Sequence, residues 1–167
     1  TEGMGFCSPT RVSAGELQEA RDAYAKAVEI EPEKRETFLC RLSDALLKAG
    51  QTTAAEEVLR ECLNGSGNPL LCLDLADLLI GVGRIEEAEN LLTEAIRLDP
   101  SSEGMFCNRF GNSLAKSGRH EAAIDFFQRA IDSDPKNPFY YMHLAASCTA
   151  IGREDIVAAL LSRPDAP

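Results

Sequence analysis

The residues of this chain with chemistry to offer are six cysteines, two histidines and two glycine-rich turns. Cys7, Cys40, Cys62, Cys72, Cys107 and Cys148 are scattered and contain no C-x-x-C pair, whereas a metal centre needs clustered ligands. His120 and His143 lie far apart in sequence, so no metal site is expected. A serine or cysteine nucleophile would need a base. His143 is the best candidate, and it falls on a helix face with no identifiable acid partner. "GSGNP" (65–69) and "GVGRIEE" (81–87) superficially suggest phosphate-binding loops. A dinucleotide fingerprint, however, would place its third glycine where Glu86 stands, and both stretches read better as helix ends. No catalytic residue and no cofactor is assigned, and the chain is not expected to be an enzyme.

Charge and hydropathy bound the partners. The formal net charge of -10 argues against nucleic acid, whose phosphates require clustered Lys and Arg. It favours solubility and, weakly, a basic partner. The most apolar run, "PLLCLDLADLLIGVG" (69–83), is interrupted by Asp74 and Asp77. It also falls short of the ~20 residues that span a bilayer, so no membrane insertion is expected. No signal peptide is visible, and the expected setting is cytoplasmic. The chain opens on Thr1 rather than methionine, which reads as part of a longer protein. "NGS" at Asn64 would be a glycosylation acceptor in a secreted protein, a pattern that also arises often by chance.

Any such side chain must be positioned by regular elements, and these announce themselves by repetition. "GELQEARDAYAKAVEIEP" (15–32), "GRIEEAENLLTEAIRLDP" (83–100) and "GRHEAAIDFFQRAIDSDP" (118–135) are three versions of one 18-residue phrase. Extending the register gives five anchors, Gly15, Gly50, Gly83, Gly118 and Gly152, spaced 35, 33, 35 and 34 residues apart. Five residues after each comes Ala20, Ala55, Ala88, Ala123 or Val157, and nine after comes Tyr24, Leu59, Leu92, Phe127 or Leu161. Twelve after come Ala27, Cys62, Ala95, Ala130 and Pro164, and seven before stand Ser43, Ala76, Gly111 and Ala145.

Apolar residues recur at helical spacing on both sides of each glycine, so each unit is two amphipathic helices. The glycine ends the first helix by adopting the left-handed conformation. Small residues at fixed places let neighbouring helices approach, and the large apolar one fills the gap. The proline of "EP" or "DP" stops the second helix, because the residue before it avoids the helical region. Helices are expected at about 15–30, 36–49 and 51–64, 69–82 and 84–98, 104–117 and 119–133, 138–151 and 153–162. Residues 1–14 read as a linker or irregular segment and 164–167 as a tail. Cys62, Cys72, Cys107 and Cys148 fall on packing places, which favours a buried small hydrophobe over disulfide or redox chemistry. Cys40 and Cys7 are left as the more reactive thiols.

This small/large/small/Pro pattern on a ~34-residue helix pair closely resembles the tetratricopeptide repeat. The resemblance covers roughly residues 15–163. It implies an all-α, right-handed α-α superhelix of about four helix pairs plus one extra N-terminal helix. The departures are Leu39, Cys72, Cys107 and Tyr141 at the family's tryptophan place, and "NGSGNP" (64–69) in place of "DP", which implies a looser turn.

The resemblance further implies a protein-interaction scaffold whose first helices line a concave groove for a partner peptide or helix. Thirteen, ten, nine and six residues before each glycine, the groove positions include Asp44, Leu73, Asp74, Asp77, Asn108, Arg109, Asn112, Phe139, Met142 and His143. The surface is expected to be acidic around Asp44, Asp74 and Asp77, and apolar near Phe139 and Met142. A basic residue on the partner would suit the acidic end. The family's clamp for acidic chaperone tails is matched only by Arg109, so that ligand is not expected. Two alternatives stay open: self-association, including a homo-oligomer through the last helix, whose Ile156, Ala159, Leu160 and Leu161 cannot all be buried against one neighbouring helix, or a regulatory appendage of an enzyme or signalling domain outside this sequence.

Overall fold

A computed structural model describes residues 14–162, the side chains of residues 14, 16 and 17 excepted. The remaining positions, including Cys7 and the proposed N-terminal linker and C-terminal tail, lie outside the described residues. Every element found among them is helical: α1 (Ala14–Ile30), α2 (Arg35–Lys48), α3 (Thr52–Leu63), α4 (Pro69–Gly81), α5 (Ile85–Leu98), α6 (Glu103–Lys116), α7 (His120–Ser133), α8 (Pro138–Ile151) and α9 (Glu154–Leu161). This is the expected order of four helix pairs preceded by one further helix. Two short 3-10 turns, Pro32–Lys34 and Pro100–Ser102, were not foreseen. None of these helices is long and apolar enough to cross a membrane.

Each pair is closed by its anchor glycine. Gly50, Gly83, Gly118 and Gly152 have φ of 74°, 85°, 80° and 69°, the left-handed region that side chains resist. At each, the N–H of the next residue donates to the carbonyl five residues back: Gln51 to Leu46 and Arg84 to Leu79 at 2.8 Å, Arg119 to Leu114 at 2.9 Å, and Arg153 to Cys148 at 2.8 Å. These bonds satisfy carbonyls that a helix end would otherwise leave bare. The second helices α5 and α7 stop where proline dictates. Asp99 and Asp134, which precede Pro100 and Pro135, have left the helical region at φ -140° and -144°. Asn68 and Asn137 open α4 and α8, each side-chain oxygen accepting from the N–H two residues on, at 3.0 and 3.1 Å, with proline at the first helical position.

The chain forms two compact units that divide between Ser66 and Gly67. In the first, α2 and α3 bury Leu39, Leu42 and Leu46 against Ala55, Val58, Leu59 and Cys62, and α1 packs on α2. Ala20, Tyr24 and Ala27 of α1 stay half-buried, while their counterparts in α3, α5 and α7 are closed by their own first helices. In the second unit α4, α6 and α8 lie side by side, and α5, α7 and α9 each fold back on the helix before. The spacing is set by small residues: Ala88, Ala95, Ala123 and Ala130 are fully buried. Gly111 is tighter still, since a Cβ there would come 2.8 Å from the Phe127 ring. Cys62, Cys72, Cys107 and Cys148 are buried as their packing places require. Burial pushes all four thiols above the ordinary range.

Candidate functional site

Within the second unit, one face carries the polar and exposed apolar residues singled out by the repeat register. On α6 it runs through Met105, Asn108, Arg109, Asn112, Ser113 and Lys116, residues three or four apart that share one stripe of a helix. α4 contributes Asp74 and Asp77 from one side, and α8 contributes Phe139, Met142 and His143 from the other.

Arg109 sits between the two aspartates. Its Nη2 donates to Asp74 Oδ1 at 2.5 Å and to Asp77 Oδ2 at 2.6 Å, and its Nε reaches the same Asp77 oxygen at 3.1 Å. Ser113 Oγ donates to the other Asp77 oxygen. Burial alone would lower the arginine's pKa, but the two carboxylates outweigh it, and the guanidinium is held even more firmly charged. Asp74 and Asp77 of the expected acidic stretch thus share Arg109 as their cation. Two aspartates one turn apart do repel, and the chain itself supplies the cation that offsets them. Asp44, the third member of that patch, is exposed on α2 in the first unit.

His143 is held by amides rather than by an acid. Its Nδ1 lies 2.8 Å from Asn108 Oδ1 and 3.3 Å from Asn112 Nδ2, so that one nitrogen donates to Asn108 in the tautomer that protonates it and accepts from Asn112 in the tautomer that leaves it bare. The imidazole also leans on the Phe127 ring, centroids 5.8 Å apart. With no carboxylate on that nitrogen, the arrangement fixes the ring and both amides as a polar shelf.

Between these helices lies an open depression of about 410 Å³, lined by Asp77, Met105, Asn108, Arg109, Asn112, Ser113, Lys116 and His143. Met105, in its lining, is 49 % exposed, and on α8 Met142 and Phe139 are 59 % and 61 % exposed. Lys116, one turn beyond Asn112, is exposed and makes no ion pair among the described residues. Leu73 is the groove residue that the structure removes, being only 1 % exposed. The reason lies in α4 itself. Leu71, Cys72, Leu73, Leu75, Ala76, Leu78, Leu79 and Ile80 are all buried, and a helix apolar nearly all round keeps little free face. Ser113 and Lys116 were missed by the sequence reading, although both continue the Met105–Asn112 stripe at helical spacing.

Tetratricopeptide repeat profiles match residues 37–64 and 73–138, together more than half of the chain. A human protein, tetratricopeptide repeat protein 21A, is 28 % identical over 123 residues, which take in 70 % of this chain. The match spans only 9 % of that relative's length. Among solved structures, MamA superposes with a TM-score of 0.59 at 19 % identity, covering 87 % of this chain and 85 % of that one. Nearly identical TPR-like repeats from Podosopora anserina superpose at 0.60 and 18 % identity, covering 88 % and 84 %. A tetratricopeptide repeat protein from Parabacteroides merdae gives 0.61 at 19 % identity, covering 89 % of this chain and 60 % of that one.

Proposed function

We propose, for a chain that belongs to the tetratricopeptide repeat family, that the α4–α6–α8 face of the second unit is a noncovalent docking groove for an extended segment of a partner protein. The fold supports a protein-interaction scaffold in general; the use of this face is our reading. The observation that carries it is the pairing of amides with exposed apolar side chains on one face. Asn108 and Asn112 each present a donor and an acceptor, as a peptide backbone does. They stand four residues apart on α6, about 6 Å along the axis at ~1.5 Å per residue. Two residues of an extended strand advance about 6.6 Å, so alternate backbone amides meet successive asparagines. The intervening side chains then reach Met105 or Met142 and Phe139, where burial of apolar surface supplies the affinity.

Charge refines the partner. Arg109 already engages Asp74 and Asp77, so a basic residue gains less there than the free acids promised. Lys116 is the open cation and suits an acidic residue at its end. Selection from a random peptide library on the immobilised protein tests the reading. Selected peptides should protect α6 and α8 from hydrogen exchange and should lose affinity to Asn112→Ala and Phe139→Ala. Peptides that instead protect only α5 and α7 would place the binding surface on the other layer.

Self-association is a second reading, favoured by one observation. No residue of α9 is buried, and Leu161 is 52 % exposed, so the last helix keeps an open apolar face. Light scattering tests it: a mass that rises with concentration in the wild type but not in Leu160→Lys, Leu161→Lys supports it, and a constant monomer mass rejects it.

A further inference from the structure

We propose that Cys40 and Cys62 form an oxidisable thiol pair that closes to a disulfide between α2 and α3 when the protein meets a peroxide. The two cysteines face one another across the antiparallel pair, and their thiols are hydrogen-bonded. Cys62 Sγ in turn donates to the Glu36 carbonyl oxygen at 3.8 Å, which leaves its sulfur to accept from Cys40. Cys72, Cys107 and Cys148 are each buried. The pair is also graded in access, Cys40 half-exposed and Cys62 buried.

That gradation assigns the roles. Thiol oxidation begins with an accessible thiolate and ends fastest where a second sulfur is already in place. Cys40 attacks the peroxide, breaking its O–O bond to give a sulfenic acid and one water. The Cys62 sulfur then attacks the Cys40 sulfur; the S–S bond forms, the S–O bond breaks, and the hydroxyl leaves as water with the Cys62 proton. Two thiols are oxidised by two electrons and the peroxide is reduced. Burial pushes the Cys62 thiol up against the opposing hydrogen bond from Cys40, and Glu36 adds to the rise, so Cys62 is the poorer first nucleophile toward peroxide and gives up its proton only as the hydroxyl departs in the second step. In the equivalent places of three other copies stand Ala27, Ala95 and Ala130, which can pack but cannot close such a bond.

The test exposes the full chain to hydrogen peroxide and reads intact mass and a non-reducing peptide map. The expected result is the loss of two hydrogens and a peptide joining Cys40 to Cys62, reversed by dithiothreitol. Cys7→Ser should leave the link intact. Cys62→Ala, which copies the residue of the sister repeats and so keeps the packing, should leave Cys40 as a sulfenic acid trapped by dimedone. The proposal is overturned if Cys40 instead joins Cys7 or goes on to the sulfinic acid with Cys62 untouched. It is equally overturned if the link forms no faster in the native chain than in denaturant.

Discussion

Arg109 stands between two carboxylates that alone would repel each other, and it spends its charge on both. Its side chain and theirs are each about a third or more exposed, so solvent screens the pairs. Exposed pairs contribute ~0–1 kcal/mol each. Arg109→Gln should accordingly lower stability only slightly in denaturant titration, yet release Asp74 and Asp77. The variant should gain salt-sensitive affinity for Lys- or Arg-rich peptides that the wild type binds weakly; equal affinity in both would show that Arg109 does not mask the pair. The buried thiols give a second residue-scale prediction. Raised pKa and burial together leave Cys62, Cys72, Cys107 and Cys148 with little accessible thiolate. They should resist alkylation in the native protein and react fully in denaturant, while Cys40 reacts in both. The Asp74–Arg109 contact was available in the sequence, because both occupy the place nine before their glycines in successive units. Reading that row for side-chain reach as well as for type would have found it.

The helices repeat one plan, and the plan separates two uses of glycine that composition cannot tell apart. Gly118 is left-handed with nothing within 4 Å of a would-be Cβ, so Gly118→Ala meets only backbone strain, about 1–2 kcal/mol. Gly111 has an ordinary helical backbone, but its Cβ would strike Phe127 at 2.8 Å. Gly111→Ala should cost roughly 1–3 kcal/mol by overpacking, and the smaller partner in Gly111→Ala, Phe127→Leu should recover part of it. Chemical denaturation of the three variants distinguishes the two mechanisms; full additivity in the double variant would contradict the steric one. The helix ends were legible because glycine and proline act locally, and every observed boundary falls within about two residues of the expected one, inside the usual ambiguity of helix ends. The Asn-Pro starts at 68–69 and 137–138 are equally local signals, an asparagine cap followed by a proline at the first helical position. Leu73 was not legible from its row. Its burial depends on the apolar character of the whole of α4, whereas its place ten residues before Gly83 looks like any other groove position.

At the scale of the whole molecule, the "NGSGNP" turn holds the boundary between the two compact units. Asn64, Gly65 and Gly67 are exposed, and short exposed polar loops are preferred sites of proteolytic nicking. Among the described residues, limited proteolysis should cut first at 64–68 and leave the helices of Gly67 onward as one fragment; early cutting at 99–103 would contradict that. The repeat fixed the succession of helix pairs in advance, since each pair needs only its own periodicity. Which face binds depends on contacts between residues some 35 positions apart, such as Asp74 with Arg109 and Asn108 with His143. The central claim is that the inner face of the second unit, and not its outer layer, meets the partner. Photo-crosslinking in the complete protein tests it most directly, with benzoylphenylalanine placed at Met105 or Met142 on the inner face, or at Asp125 on the exposed side of α7. Crosslinks from Met105 and Met142 to one segment of a partner protein, lost on Asn108→Ala, Asn112→Ala, are the predicted result. Crosslinks to that partner from Asp125, with neither inner position reacting, would contradict the account.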